Sequence, residues 1–300
     1  MLNGSTYDIV IIGNYTKDTV ISPAGTRYVD GGGFNYGAHV AAMMGLKTAA
    51  VTRLSKDDQR VVDALVRLGI TVYPTYTPHS TDMRLHYPTS DVDQRTLSVT
   101  HTAGAFTPDQ VEALESRVFL INSSIRGEVN LDVVKALRNK KTLLAADVQG
   151  FTRIIGSDGI LQYGDWPEKR EVLGLIDILK TDAVEAEILT GKSDIRIAAA
   201  EIASWGPKEI VLTHREGVLV LAGGKFLEAP FRPEKLVGRS GRGDTCIASY
   251  VCRRMNGSAQ EATVWAAAAT SLKLEAEGPL KRTVADVEQL IGRSYSPVLS

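Results

Sequence analysis

The sequence predicts an α/β fold, with a mostly parallel central sheet between two helical layers and a small β lid. Three observations carry this. Short apolar, β-branched runs alternate with helix-periodic runs along most of the chain, the pattern of parallel strands joined by crossover helices. Two stretches, residues 14–30 and 74–105, break the alternation with Thr, Tyr and Pro and no helical period, and read as extra strands forming a lid outside the main sheet. The 300 residues are 44% hydrophobic and 23% charged, ample for one large core, so residues 1–300 are taken as a single domain.

In chain order, YDIVIIG (7–13) is the first strand, and NYGAHVAAMMG (35–45) supplies the first helical period. KTAAVTRL (47–54) reads as a strand and DDQRVVDALVRLG (57–69) as a helix. After the second polar stretch come the helix TPDQVEALES (107–116), the strand RVFLINSS (117–124), the helix LDVVKALRN (131–139) and the strand TLLAADV (142–148). DILKTD (177–182) is a strand leading into the helical runs VEAEILTG (184–191) and DIRIAAAEIASWG (194–206). EIVLTHREGVLVL (209–221) is the last strand-like run. In DTCIASYVCRRM (244–255), Ile247, Val251 and Met255 recur at helical spacing with Ala248 and Cys252 beside them, the stripe of a buried face. The alanine-rich EATVWAAAATSLKLEAEG (261–278) reads as a closely packed helix.

A formal net charge of −1 offers no basic surface for nucleic acid or a polybasic membrane patch, so the expected partners are small molecules or protein chains. No apolar run approaches the roughly 18 residues of a membrane helix, and the N-terminal segment lacks a basic run before an apolar one. The expected location is cytoplasmic. Cys246 and Cys252 fall on different faces of one helix, which argues for small buried residues and against a mutual disulfide.

Two glycine-rich motifs fail their spacing. Ala186 stands where a Walker loop ending at Gly191, Lys192 and Ser193 needs its first glycine, and GGGFNYG does not follow the first strand as a tight dinucleotide-binding turn. GRSGRGDTC (238–246) is different. By position alone, Asp244 is an acidic residue capping a helix. A cap does not need flanking glycines, however, and Gly241 and Gly243 let backbone amides converge at a helix N-terminus to form an anion site. A carboxylate beside such a site suits a base that takes the proton of a hydroxyl attacking a phosphate.

That stretch resembles the Gly-Ala-Gly-Asp loop of the ribokinase-like (PfkB) carbohydrate kinases, and the likeness spans essentially the whole chain. GNYTKD resembles the family's first strand and substrate aspartate, here Asp18. GGGFNYGAHVAAMMGLKTAAVTRLSKDD resembles its Gly-Gly signature, with Gly31 and Gly32 at the sugar-facing turn. KTDAVEAEILTG resembles its Asn-x-x-Glu motif, with Asp182 replacing Asn and Glu185 in the glutamate's place. LTHREGV resembles the strand and turn that carry Thr213 and Gly217 near the nucleotide. The resemblance implies a ribokinase-like fold and ATP-dependent phosphotransfer to a hydroxyl of a sugar, polyol or sugar acid. Asp244 is then the base, Gly241, Arg242 and Gly243 the anion hole, and Glu185 orients Mg2+ through water with Asp182 helping. Members often pair through lid strands, so a homodimer is the implied assembly, although YPTYTPHSTDMRLHYP shows no apolar face that decides it.

The chain departs from the pattern in three places. Gly238 and Arg239 replace the Asp-Thr that helps many relatives hold an activating monovalent cation, which leaves that cation doubtful and makes Arg239 or Arg242 candidates to supply its charge. Arg242 replaces a small residue inside the loop, and a solvated surface charge is the plain alternative. Tyr36 aligns with the expected asparagine, while Asn35 sits one place earlier.

GRSGRGDTC, LAADVQGFTR and DWPEKREVLGLIDILKTD resemble a branch of the family linked to inositol and keto-sugar-acid catabolism, so an inositol or keto-sugar acid is the expected substrate. Asp18, Asn35, Gln149 and Arg153 are expected near the strand ends as substrate partners; for Gln149 and Arg153 a structural role stands equally open, as does a solvent-facing charge for Arg95. His39, His79, His86, His101 and His214 lack metal spacing and read as structural, with His214 packing near the nucleotide. Two alternatives remain. One is a nucleoside kinase using Phe34, Tyr36 or Phe151 to stack a base, and the other is a non-catalytic sugar-binding regulatory protein.

Overall fold

The computed structural model describes residues 6–89 and 94–295. From β1 (Tyr7–Ile12) the chain leaves the core for β2 (Thr16–Ser22) and β3 (Gly25–Gly31), then returns through α1 (Gly33–Met43) to β4 (Thr48–Ser55). It continues through α2 (Gln59–Arg67) and β5 (Thr71–Thr77) to a second excursion, β6 (Thr81–His86) and β7 (Thr96–His101). Next come α3 (Asp109–Glu112), β8 (Ser116–Ile121), α4 (Leu131–Arg138), β9 (Leu143–Asp147), α5 (Gln149–Thr152) and a hairpin of β10 (Arg153–Ile155) and β11 (Leu161–Tyr163). Then α6 (Lys169–Leu173), β12 (Ile178–Asp182), α7 (Ala183–Thr190), α8 (Ile195–Ala203), β13 (Glu209–Thr213), β14 (Gly217–Ala222) and β15 (Lys225–Pro230) precede three helices, α9 (Arg242–Arg254), α10 (Ala259–Leu274) and α11 (Val284–Ser294).

The central sheet has nine strands in the order β15-β14-β13-β12-β9-β8-β1-β4-β5, parallel from β13 to β5 and antiparallel at the β14 and β15 edge. Burial on both faces explains why β1 is a continuous apolar run. Ile9 and Ile11 join the core under α1, α9 and α10, while Val10 and Ile12 join the core under α4 and α8. Ala266, Ala267, Ala268 and Ala269 are fully buried in α10, small enough for close packing against α9. Cys246 and Cys252 are buried free thiols, as expected. The fold is the expected three-layer, ribokinase-like arrangement.

The second sheet has the order β3-β2-β6-β7 and a core of its own, in which Val20, Met83, Leu85 and Val99 meet Ile125 of the main body. The sequence-based boundaries shift here. Residues 74–77, assigned to the lid, belong to β5 and pair with β4 at the edge of the central sheet, because the edge strand's polar residues face solvent. The run 209–221 is two antiparallel strands joined by a tight turn, rather than one strand. The chain leaves β1 for β4 on one side and later adds β8 on the other, which creates a topological switch point and a crevice at the strands' carboxyl ends. Among the described residues, no helix is long and apolar enough to cross a membrane.

Candidate active site

A cleft lies beyond the carboxyl ends of the central strands, between the second sheet and the start of α9. Thr16, Asp18, Met83, Leu85, Arg95 and Leu97 line it from the small-sheet side. The main body contributes Gly32, Gly33, Tyr36, Gln149, Arg153, Lys180, Asp182, Thr213 and the run from Arg239 to Asp244.

The glycine loop is built by close approach. Gly241 has a φ of 80°, and a Cβ there would fall 2.1 Å from the Tyr36 ring, so only glycine fits. The helix starts at Arg242, and the first-turn amides of Gly243 and Asp244 have no carbonyl acceptor within the helix. Those amides and the helix dipole make this end attractive to an anion. A Cβ on Gly243 would lie 2.6 Å from Lys180 Nζ, so the lysine ammonium sits directly against the loop.

Two buried carboxylates face the cleft. Gln149 Nε2 donates to Asp244 Oδ1 at 2.9 Å. Burial pushes the Asp244 carboxyl above the usual range, against the pull of Lys180, Arg153 and the Gln149 hydrogen bond. Asp18 is 4% exposed, and its Oδ1 has no hydrogen-bond partner. Burial pushes its pKa up to about 7, opposed by Thr16 and Arg95 and reinforced by the charge of Asp244.

Beneath the loop lies an ion-pair cluster. Lys180 Nζ is 3.0 Å from Asp147 Oδ2 and 3.7 Å from Glu185 Oε2, and Arg153 Nη2 is 3.2 Å from Glu185 Oε1. Burial works against the Lys180 charge, but Asp147 and Glu185 outweigh it and hold the ammonium pKa well above its ordinary value. Asp182 and Glu185 close a capping box at the start of α7: the Glu185 amide donates to Asp182 Oδ1 at 2.8 Å, and the Asp182 amide donates to Glu185 Oε2 at 2.9 Å.

This arrangement bears on Mg2+. Both Glu185 oxygens already accept hydrogen bonds, one from Arg153 and one from the Asp182 amide, and the side chain is fully buried. The role expected from the sequence, orienting Mg2+ through water with Asp182 helping, is an indirect contact, and each Glu185 oxygen keeps a lone pair beyond the hydrogen bond it accepts. Among the described residues, no cluster of His, Cys, Asp or Glu is placed to hold a metal ion.

Of the residues singled out from the sequence, Asp18, Gly32, Gln149, Arg153, Asp182, Thr213, Gly241, Arg242, Gly243 and Asp244 line the cleft, as do Arg95 and Arg239. Four lie behind it. Gly31 packs against Asp18, where a Cβ would fall 2.3 Å from Oδ2, and Asn35 Nδ2 donates to the Asp30 carbonyl at 2.9 Å. Glu185 sits under Lys180 and Arg153. Gly217 pairs with Pro230 in the sheet, with Ala229 O 2.4 Å from where its Cβ would be.

Of the three aromatic candidates for base stacking, two are engaged elsewhere and Tyr36 lines the cleft. Phe34 is fully buried, Phe151 stacks on Trp166 at 4.9 Å, and Tyr36 lies under Gly241. Four of the five histidines have local partners: His39 Nδ1 hydrogen-bonds the Asn35 carbonyl, His79 stacks on His101, and His214 accepts the Glu216 amide. Lys180 and Asp147 escaped the sequence reading. The available signal was a lysine inside the otherwise buried strand DILKTD, a position charged residues rarely occupy unpaired.

The comparisons with known proteins identify the family. The chain is similar to a solved pyrophosphate-dependent kinase of the ribokinase family in complex with sulfate, at 36% identity and TM-score 0.87 over 93% of this chain and 99% of that one. It is also similar to a pyrophosphate-dependent kinase of that family with a pyrophosphate analog and myo-inositol bound, at 35% identity and TM-score 0.86 over 94% and 99%. A cytidine kinase of Thermococcus kodakarensis is 29% identical over 267 residues, covering 86% of this chain and 92% of that one. The family model for pfkB family carbohydrate kinases matches residues 3–281. The chain belongs to the pfkB family of carbohydrate kinases and is a phosphotransferase acting on a sugar or polyol.

Proposed function

We propose that the chain phosphorylates a hydroxyl of a cyclic polyol of the myo-inositol type, with Asp244 as general base. The observation that carries this reading is the pair of buried carboxylates, Asp18 and Asp244, facing one cleft beside a helix N-terminus. The unpartnered Asp18 Oδ1 is an acceptor for a substrate hydroxyl, the group a polyol offers in abundance. Asp244, oriented by Gln149, takes the proton of the attacking hydroxyl. The new O–P bond forms as the bond from that phosphorus to the donor's bridging oxygen breaks, and the donor's remaining phosphate leaves with the bond pair. The Gly243 and Asp244 amides and Lys180 stabilise the charge that spreads over the transferring group.

The sequence-based expectation names ATP as donor. The residues lining the cleft favour pyrophosphate. Lys180, Arg153, Arg239, Arg242 and Arg95 concentrate positive charge there, and a donor without a base must draw its affinity from such phosphate contacts. The related pyrophosphate-dependent structures support the same donor. Mg2+ would enter with the donor, held by phosphate oxygens and water, and would neutralise developing charge there.

Purified protein incubated with myo-inositol and either donor, with products read by phosphorus NMR, tests this. We expect an inositol monophosphate and orthophosphate from pyrophosphate. Product from ATP alone would overturn the donor assignment, cytidine phosphorylation in preference to any polyol would overturn the acceptor, and no transfer from either donor would sink the reading.

A further inference from the structure

The loop that begins the anion site is held from behind by a buried lysine. Lys273, in the last turn of α10, is 1% exposed, yet it carries a side chain that is charged in water. Its Nζ donates to the Gly238 carbonyl at 2.8 Å and to the Ala276 carbonyl at 3.4 Å, and it lies 5.7 Å from the centre of the Tyr36 ring. Two chain segments thus converge on one ammonium, the 237–241 run that leads into the glycine loop and the 275–277 run that leaves α10. The Val237 and Gly238 amides also donate to the Leu274 carbonyl, at 2.9 and 3.1 Å. Gly238 makes the approach possible, since a Cβ there would fall 2.5 Å from Ala276 O.

Main-chain carbonyls converging beside an aromatic face form the environment that binds a potassium or ammonium ion. Here the cation is covalently attached. We propose that Lys273 is a positioning residue, a tethered cation that fixes the glycine loop and removes the need for a free monovalent ion at the Gly238 carbonyl. Contact continues to the reacting end, because the Tyr36 ring faced by the ammonium is the ring on which Gly241 rests. Burial lowers the Lys273 pKa to about 8, while the Glu277 and Asp244 carboxylates favour its charged form. A cation at the C-terminal end of α10 also complements the helix dipole. Sequence reasoning assigned the missing cation's charge to Arg239 or Arg242, both of which line the cleft; the carbonyl behind the loop is met by Lys273 instead.

The kinetic part of the inference rests on the phosphotransfer reading, so its test has a readout that needs no turnover. Wild type and K273M are assayed at equal ionic strength in sodium, potassium, ammonium and choline chlorides, and their thermal unfolding is followed in the same salts. Wild-type kcat is expected to vary less than about twofold among the salts, and its melting midpoint not to distinguish them. In K273M, kcat/KM for the donor should fall at least about tenfold with acceptor KM within about threefold, as a displaced loop predicts. Ammonium or potassium, but not choline, should restore part of kcat and raise the variant's melting midpoint. Strong potassium activation of wild type overturns the proposal, and that result does not depend on the variant folding. K273M with wild-type kinetics, or a damaged K273M indifferent to every cation in both readouts, also overturns it. A wild type inactive on every polyol sinks the functional reading alone and leaves the melting data to decide the clamp.

Discussion

The Gln149 side-chain amide donates to Asp244 Oδ1 at 2.9 Å across 95 residues of sequence, joining the turn after β9 to the first turn of α9. It fixes one carboxylate oxygen, and in the proposed role of base the other would accept the proton. Asp244→Asn should lower turnover by roughly 10²-fold to 10⁴-fold while donor binding, measured by calorimetry, stays near wild type. Gln149→Ala leaves the carboxylate in place but unoriented, and should cost about tenfold in kcat with little change in either KM. Near-normal turnover in the asparagine variant would remove Asp244 from the role of base.

Asp18 gives the acceptor side a pH dependence. Burial, the largest influence, raises its pKa to about 7, so the carboxylate proposed to accept substrate hydroxyl hydrogen bonds predominates above that pH. Acceptor kcat/KM should therefore rise as pH increases through about 7. Asp18→Asn should lower that constant and remove this limb of the profile. An unchanged limb in the variant would assign the titration to another group.

Much of the fold was legible because its signals are local. The strand β1 is a continuous apolar run, and the glycine loop precedes a helical stripe ending at Met255. What escaped lies where tertiary contacts override local pattern. The edge strand β5 is polar because one face meets solvent, so residues 74–77 resemble lid. The helix α11 opens with a Thr283–Asp286 capping box, a readable signal just beyond the last apolar run considered. At the site, residues with backbone-driven motifs were found, whereas Lys180, Asp147 and Lys273 were not. Their roles come from partners 33 or 35 residues away, and spacing does not show such pairs.

Asp177 ties three elements together at the opposite end of the sheet. Its Oδ2 accepts from Arg138 at 2.6 Å and from the Leu144 amide at 3.0 Å, and its Oδ1 accepts from Lys208 at 3.1 Å. Burial alone would raise its pKa; the Leu144 amide, Arg138 and Lys208 outweigh burial and hold it below the ordinary 3.8. A depressed carboxylate contributes stability above its unfolded pKa and loses it as pH falls through the folded one. Asp177→Asn should thus lower stability at neutral pH by about 1–3 kcal/mol, and the difference from wild type should shrink below pH 3.8 in urea unfolding. A gap that persists in acid would mean that the loss comes from packing.

The approach of Lys180 to Gly243 allows a test of whether donor binding is separable from acceptor binding. A methyl group at Gly243 would sit 2.6 Å from the ammonium, so Gly243→Ala must push Lys180 away from the loop or move the loop itself. The ammonium is also tied to Asp147 and Glu185, whose attraction resists displacement, so much of the movement should fall on the loop amides. Those amides are the proposed phosphate contacts, whereas Asp18 lies on the small four-stranded sheet. Gly243→Ala should consequently raise donor KM by about tenfold or more and leave acceptor KM within about twofold. Lys180→Met removes the same charge without crowding the loop, but strands two buried carboxylates. That variant should lose about 3–5 kcal/mol of stability as well as donor affinity, whereas Gly243→Ala loses mainly affinity. Equal effects of Gly243→Ala on both KM values would show that the two binding regions are not separable, and would place the loop's role in overall cleft shape.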